Sequence, residues 1–414
     1  MPQTLTAPPN TLRILLSLPV VVSAMGFFVD VYDMLLFSIV RVPSLQALGL
    51  SPDQVSQSGT FIINCQQVGL VLGGILWGVL GDKRGRLSVL FGSILTYSLA
   101  NIACGFVNDV NSYALLRFVA GVGLSGEIGA AMVLVAEILP KEVRSYGASV
   151  VAGIGYLGAG AAYLTVEWFD WRTAFFVGGG MGLALLLLRM SVFESGLFER
   201  LKSRETVDRG NFLTFFKSKR QLWKYLRCVA VGMPTWFIVG ILATFANEFG
   251  QALGIPDVVK PGRCVMMIYL GMAVGDLLSG PLSQYLRSRL KTIALLLGGN
   301  VVLCAVYLFA GISTADGLYL ICLLIGFCTG YVAMFLTMVA ESYGTNLRAT
   351  ATTSVPSLVR GTLIPMIVFF QFLKPSVGTL AAAGVLGALV YALAFWSLSR
   401  MEETFGKDLD FVEK

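Results

Sequence analysis

Among the ionisable side chains inside stretches that are otherwise apolar, Asp30, Asp33, Arg117, Glu127 and Arg360 are the most informative. At the centre of a membrane each such group costs about 2.5–3.5 kcal/mol on insertion scales, so a chain keeps it only where it pairs, faces a wet cavity or acts. Asp30 and Asp33 are three residues apart and share one helical face. Two nearby carboxylates in a low-dielectric site cannot easily both ionise, and proton coupling needs such a group. The other reading is structural, with one Asp neutralising a buried Arg. Glu127 falls near the midplane and either couples protons or packs, hydrogen-bonded, beside Gly126. Arg360, midway along SVPSLVRGTLIP, is a lone cation that either meets an anionic substrate, ideally a carboxylate through bidentate bonds, or pairs with another helix. Arg117, Gln66, Gln67, Trp236, Asn300 and Tyr331 are further candidates for substrate contacts, the alternative being helix–helix packing. Asp276 is expected with a gate at the cytoplasmic end of its span. Glu167, Asp170 and Glu248 are expected to be solvated near the outer surface.

The elements that must position these groups follow from composition. Of 414 residues, 56% are hydrophobic and only 13% charged, about half the charged fraction of a soluble domain. The solvent of this chain is therefore largely lipid, and its 46 glycines suit closely packed membrane helices. Twelve spans are expected near 15–40, 57–80, 87–107, 112–138, 146–167, 173–193, 226–250, 262–285, 292–312, 316–340, 350–373 and 377–399. Of the 30 Lys and Arg, 23 fall on the side of the N-terminus, five on the other side, and Arg117 and Arg360 inside spans. That asymmetry puts both termini in the cytoplasm. It also explains the formal charge of +6 without nucleic acid.

The sequence excludes several chemistries. It contains no histidine, so His ligands, His-based catalysis and His proton relays are absent together. Its seven cysteines lie in or beside apolar runs with no CxxC pair, as small buried hydrophobes. No GxxxxGK[ST] sequence is present, which removes an ATP-driven motor. Neither a cofactor nor a metal is expected.

The chain divides into 1–194, a polar cytoplasmic linker at 195–221, and 222–414 with a short tail. An internal repeat supports two halves. AEILPKEVRSYGAS (Ala136–Ser149) and AESYGTNLRATATT (Ala340–Thr353) align at an offset that superposes Glu137 on Glu341 and Arg144 on Arg348. GVLGDKRGRL (Gly78–Leu87) similarly matches GPLSQYLRSRL (Gly280–Leu290). Parallel halves place a binding site at their interface near the midplane.

Gly78-x-x-x-Asp82-Lys83-Arg84-Gly85-Arg86 resembles the loop between spans two and three of the major facilitator superfamily. Arg117-x-x-x-Gly121-x-Gly123-x-x-Gly126-Glu127 resembles its span-four motif. GEIGAAMVLVAEILPKEVRSYGAS is similar to the metabolite–proton symporters. Trp171–Arg172, Glu194–Ser195 and the tail EETFGKDLDF match the sugar and organic-acid branches. Asp30-x-x-Asp33 resembles the aromatic-acid–proton symporters. Gln284 stands where the second loop motif has its Asp, and Gly196 where the sugar branch has a proline.

This resemblance implies an all-α polytopic membrane protein of twelve transmembrane helices in two pseudo-symmetric six-helix bundles. It implies that Arg117 lies near span one with Asp33 as its partner, and that Arg360 matches the span-eleven arginine of organic-anion carriers. Asp82, Arg86, Glu137, Arg144, Glu341 and Arg348 would close the cytoplasmic side in one state and part in the other. The expected function is proton-coupled symport of a small, anionic metabolite by alternating access. The partners are protons and the bilayer, and the chain acts as a monomer in a bacterial inner membrane. The alternatives are a proton-driven drug or metabolite exporter and a transport-inactive sensor of the same fold.

Overall fold

The computed structural model describes residues 17–84, 86–125, 144–194, 218–344 and 348–406. Glu127 and Glu137 lie outside these, as do the side chains of Asp82, Arg86, Arg144 and Arg348. The described residues form helices and connecting turns. Ten helices are long and apolar enough to cross a membrane, and Phe91–Cys104 and Val110–Leu124 are shorter apolar ones. Together they make the twelve spans of an all-α membrane protein, the only architecture besides a closed barrel in which a chain satisfies its own backbone inside lipid.

Spans one to six are Leu18–Ala47, Pro52–Arg84, Arg86–Cys104, Val110–Leu124, Arg144–Trp168 and Trp171–Glu194. Span seven joins Lys219–Phe237 to Ala246–Ala252 through a widened turn at Ile238–Ala243. Spans eight and nine are Pro261–Leu286 and Arg289–Phe309. Span ten is broken into Ala315–Thr329 and Val332–Ser342, and span eleven into Arg348–Gly361 and Leu363–Val377. Span twelve is Thr379–Leu398.

Local sequence sets the ends. Asp109, Ser288 and Thr314 cap spans four, nine and ten by accepting from the N–H groups of Ser112, Lys291 and Gly317. Pro261 occupies the first turn of span eight, where a missing N–H costs nothing. Pro365, without an N–H, cannot bond the Gly361 carbonyl four residues back, and the helix of span eleven is interrupted between Gly361 and Leu363.

Packing within each group of six spans uses glycine in the same way. Spans two and four touch backbone to backbone: Gly69 lies on the Phe118 carbonyl, Gly73 on that of Val122, and Gly121 on that of Gln66. Spans eight and ten, six places further on, repeat this with Gly271 on Leu323, Gly275 on Phe327 and Gly326 on Ile268. Small residues four apart let helices approach this closely, and in lipid such packing is a main source of association.

These contacts leave no room for a side chain. Gly326→Leu should destabilise the protein by about 1–3 kcal/mol through overpacking. Gly298→Leu, at a site where an added Cβ meets nothing within 4 Å, should be neutral. Melting curves of the two variants in one detergent check this, and equal midpoints would refute the packing role.

Candidate functional site

Arg360 lies at the end of the first helix of span eleven and is 7% exposed. Its guanidinium stands 5.7 Å from the ring centroid of Trp236 on span seven. Tyr269 of span eight, Asp30 of span one and Tyr156 of span five lie within its electrostatic reach. Tyr156 is the hub of this group. Its ring meets Phe27 edge-on at 5.5 Å and Tyr269 at 5.6 Å. Its hydroxyl lies within the electrostatic reach of Asp276 of span eight.

Asp276 is buried at the break of span ten. Its Oδ1 accepts from the N–H of Ala333, at the start of the second helix, at 3.0 Å. The Tyr331 hydroxyl in the same break donates to the Val231 carbonyl at 3.2 Å and touches Thr235 Oγ1 at 3.2 Å. Spans one, five, seven, eight, ten and eleven thus converge on one polar centre. Asp30, Trp236, Tyr331 and Arg360 were legible as candidates. Tyr156 and Tyr269 were not, because tyrosine in an apolar run looks like packing. Asp276, expected at the cytoplasmic gate, sits instead in this centre.

The second group lies wholly within the first six spans. Arg117 is fully buried and donates to Asn101 Oδ1 at 2.6 Å, Gln66 Oε1 at 3.4 Å and the main-chain carbonyl of Asp33 at 3.1 Å. Its guanidinium also covers the Phe175 ring at 5.4 Å. The expected partnership with Asp33 therefore runs through the backbone, while the Asp33 carboxylate presses against the α-carbon of Gly178 on span six. Three residues of helix leave about 60° between side chains. That angle is enough to send Asp30 toward Arg360 and Asp33 toward span six. Gln66 also donates to the Met34 carbonyl at 3.1 Å. Gln67 is buried beside it. Asn300 bonds Thr329 at 3.3 Å and joins spans nine and ten.

A third cluster ties together the ends of the spans on the side away from the termini. Arg41, buried at the end of span one, donates to the Thr244 carbonyl at 2.9 Å and to Asn247 Oδ1 at 3.1 Å. It stacks on Phe245 at 4.6 Å and lies 4.0 Å from Glu248. Glu248 also accepts from Lys374 at 2.5 Å and from Ser56 at 3.0 Å. The expectation of a solvated Glu248 is thus corrected: its side chain is 13% exposed and bridges spans one, two, seven and eleven. Lys260 and Glu167 add a more exposed pair at 2.8 Å between spans eight and five.

At the ends of the spans on the side of the termini, Glu341 accepts from both Nη2 and Nε of Arg289, at 3.2 and 3.4 Å. Thr404 of the tail donates to the same carboxylate at 2.8 Å. Glu403 accepts from the Ser288 hydroxyl and from the N–H of Arg289. Burial acts to raise its carboxyl, but these bonds, with those from Phe405 and Leu290, outweigh it and hold Glu403 below the ordinary range.

Comparison with known proteins agrees with this architecture. A protein of Haemophilus influenzae named for metabolite transport is 27% identical over 403 residues, spanning 94% of this chain and 96% of that one. The niacin transporter NiaP of Acinetobacter baylyi is 27% identical over 366 residues, 79% of this chain and 80% of that one. The solved structure of the proton:xylose symporter XylE superposes with a TM-score of 0.68 at 16% identity, covering 94% of this chain and 97% of that one. Residues 22–361 match the Major Facilitator Superfamily, and with twelve spans in the corresponding fold the chain belongs to that superfamily of membrane transporters.

Proposed function

We propose that this transporter carries a small organic anion together with protons by alternating access. The observation that carries the reading is Arg360: a buried guanidinium on the seam between the first and last six spans, faced by Trp236, Tyr156 and Tyr269. A cation so placed favours an anion, and its planar fork suits a carboxylate. The aromatic walls suit a flat apolar body attached to that carboxylate. The niacin carried by the Acinetobacter relative is a compound of this kind.

Asp30, within the field of Arg360, supplies a proton-carrying group at the same place. Asp33 and Glu127 are further proton-handling candidates, and Gln66, Gln67, Trp236, Asn300 and Tyr331 further substrate contacts. Arg117 serves the site indirectly, by fixing spans one, two and three around it. The outer cluster of Arg41, Glu248 and Lys374 supports a state closed to the outside. The Glu341–Arg289 pair belongs with Asp82, Arg86, Glu137, Arg144 and Arg348 at the cytoplasmic gate. The domains proposed are 1–194 and 222–414, joined by the linker at 195–221.

Uptake into proteoliposomes with an alkaline interior tests the reading, with nicotinate and benzoate as probes. Accumulation should follow the gradient and vanish with a protonophore; uptake indifferent to the gradient would reject coupling. Arg360→Ala should lower anion uptake roughly ten- to hundredfold, the value of one or two charge-assisted bonds. An unchanged rate would remove Arg360 from the site.

A second experiment addresses the outer cluster. Glu248→Gln leaves Arg41 and Lys374 facing each other without their shared carboxylate. The outer side should then open about tenfold more often, for roughly 1.4 kcal/mol of lost pairing. A cysteine replacing Ile39, which packs against Gly262 across the seam, should react correspondingly faster with a water-soluble maleimide. An unaltered labelling rate would show that the cluster does not hold the closure.

A further inference from the structure

Asp276 belongs to no motif quoted above, yet it occupies the point where the two groups of six spans meet. Three observations bear on what it does. It is fully buried. It receives the N–H of Ala333 at the start of the eleven-residue helix Val332–Ser342, where the helix dipole favours negative charge. It lies within electrostatic reach of Tyr156, which comes from span five in the other group. Spans five and eight also pack along each other, with Gly153 against Leu277 and Gly262 against Tyr163. The Tyr156–Asp276 pairing therefore lies across the moving seam, where a donated hydroxyl would make it a tie.

The strength of that tie depends on charge. A hydroxyl donating to a carboxylate makes a bond about twice as strong as one to a neutral acid. Adding a proton to Asp276 weakens the hold of span five on span eight, while the bond from Ala333 persists within the second group. The proposed anion-binding cation feels the same hub, because Arg360 lies in the field of Tyr156. We propose that Asp276 is a proton-carrying residue of the transport cycle, whose protonation releases Tyr156 and frees the seam to open. One proton adds to the carboxylate when the centre is accessible from one face and leaves when it is accessible from the other. The inference rests on the proton-coupled reading above and assigns it a residue.

Among the described residues, Tyr156 from span five and Tyr331 from the break in span ten are ionisable groups in reach of Asp276. Tyr269 lies on its own helix, and Arg360 of span eleven and Asp30 of span one meet on the far side of Tyr156. Spans seven and nine contribute at this level Thr235, Trp236 and Asn300, which carry no charge.

The test separates accumulation from exchange in proteoliposomes loaded with nicotinate, or with whichever anion the wild type accumulates. D276N should lose gradient-driven accumulation at least about tenfold yet retain counterflow, the exchange of labelled for unlabelled substrate without net proton movement. Y156F keeps the acid but removes the donor that favours its charged form, so the pH profile of uptake should shift upward by about one unit. Both variants are first matched to wild type in melting temperature. Full accumulation by D276N would overturn the proposal. Loss of counterflow with accumulation in a well-folded D276N would also overturn it, by showing a structural role. An unmoved profile in Y156F would refute the tie. If the wild type itself ignores the gradient, the proton-coupled reading fails, and this outcome is distinct from any result for Asp276.

Discussion

Lipid offers no hydrogen bonds, and that constraint decides where this chain can bend and where it can keep a charge. Spans seven, ten and eleven all interrupt their helices within the membrane. Each interruption frees backbone groups that must be met from inside the protein. The Thr244 carbonyl receives Arg41, the Ala333 N–H donates to Asp276, and the Val359 carbonyl receives the hydroxyl of Thr362. In the first two cases the partner is ionisable and arrives from another helix. Those breaks therefore serve twice. They bend the helix, and they supply a buried ion with hydrogen bonds without which its burial would be prohibitive.

Much of the fold was legible because a span is a sum over some twenty residues, and no single misreading changes it. All twelve expected spans overlap described helices. Their ends differ by several residues where a helix outruns its apolar stretch, as span one does in reaching Ala47 past Arg41. The site was legible only in part. Residue type and depth can be read from a sequence, and these singled out Asp30, Arg117 and Arg360. Rotation about the helix axis cannot be read so finely. Asp30 and Asp33 consequently looked like a pair but face different neighbours. Partners contributed by helix breaks were hidden as well. The break at Gly330 comes from the close approach of span eight, at Gly275 and Asp276, and no local signal announces that approach. Arg41 and Glu248 read as surface charges because nothing in their own segments says they meet.

Two kinds of contact divide the molecule. Where Gly271 and Gly326 bring spans eight and ten together, backbone rests on backbone, and a slip of one residue would drive a side chain into a carbonyl. Such a contact has one register and resists sliding. The seam between spans one and five and spans seven and eight is made differently. It relies on Arg41 against Thr244 and Glu248, Tyr156 against Asp276, and Lys260 against Glu167.

These polar ties differ from the glycine contacts in how they respond to water. Two unit charges 4 Å apart attract by about 4 kcal/mol at an effective dielectric constant of 20 and by about 1 kcal/mol in bulk water. Admitting water to the seam weakens the Arg41–Glu248 attraction several-fold and offers each partner a substitute. It does nothing to the steric fit of glycine against backbone. Two closely balanced arrangements of the same helices need this kind of joint, strong when dry and replaceable when wet. On the alternating-access reading proposed above, the chain gives way first between its groups of spans rather than within them. Arg360, with Asp30 and Tyr156 in its field, is placed where that parting exposes it.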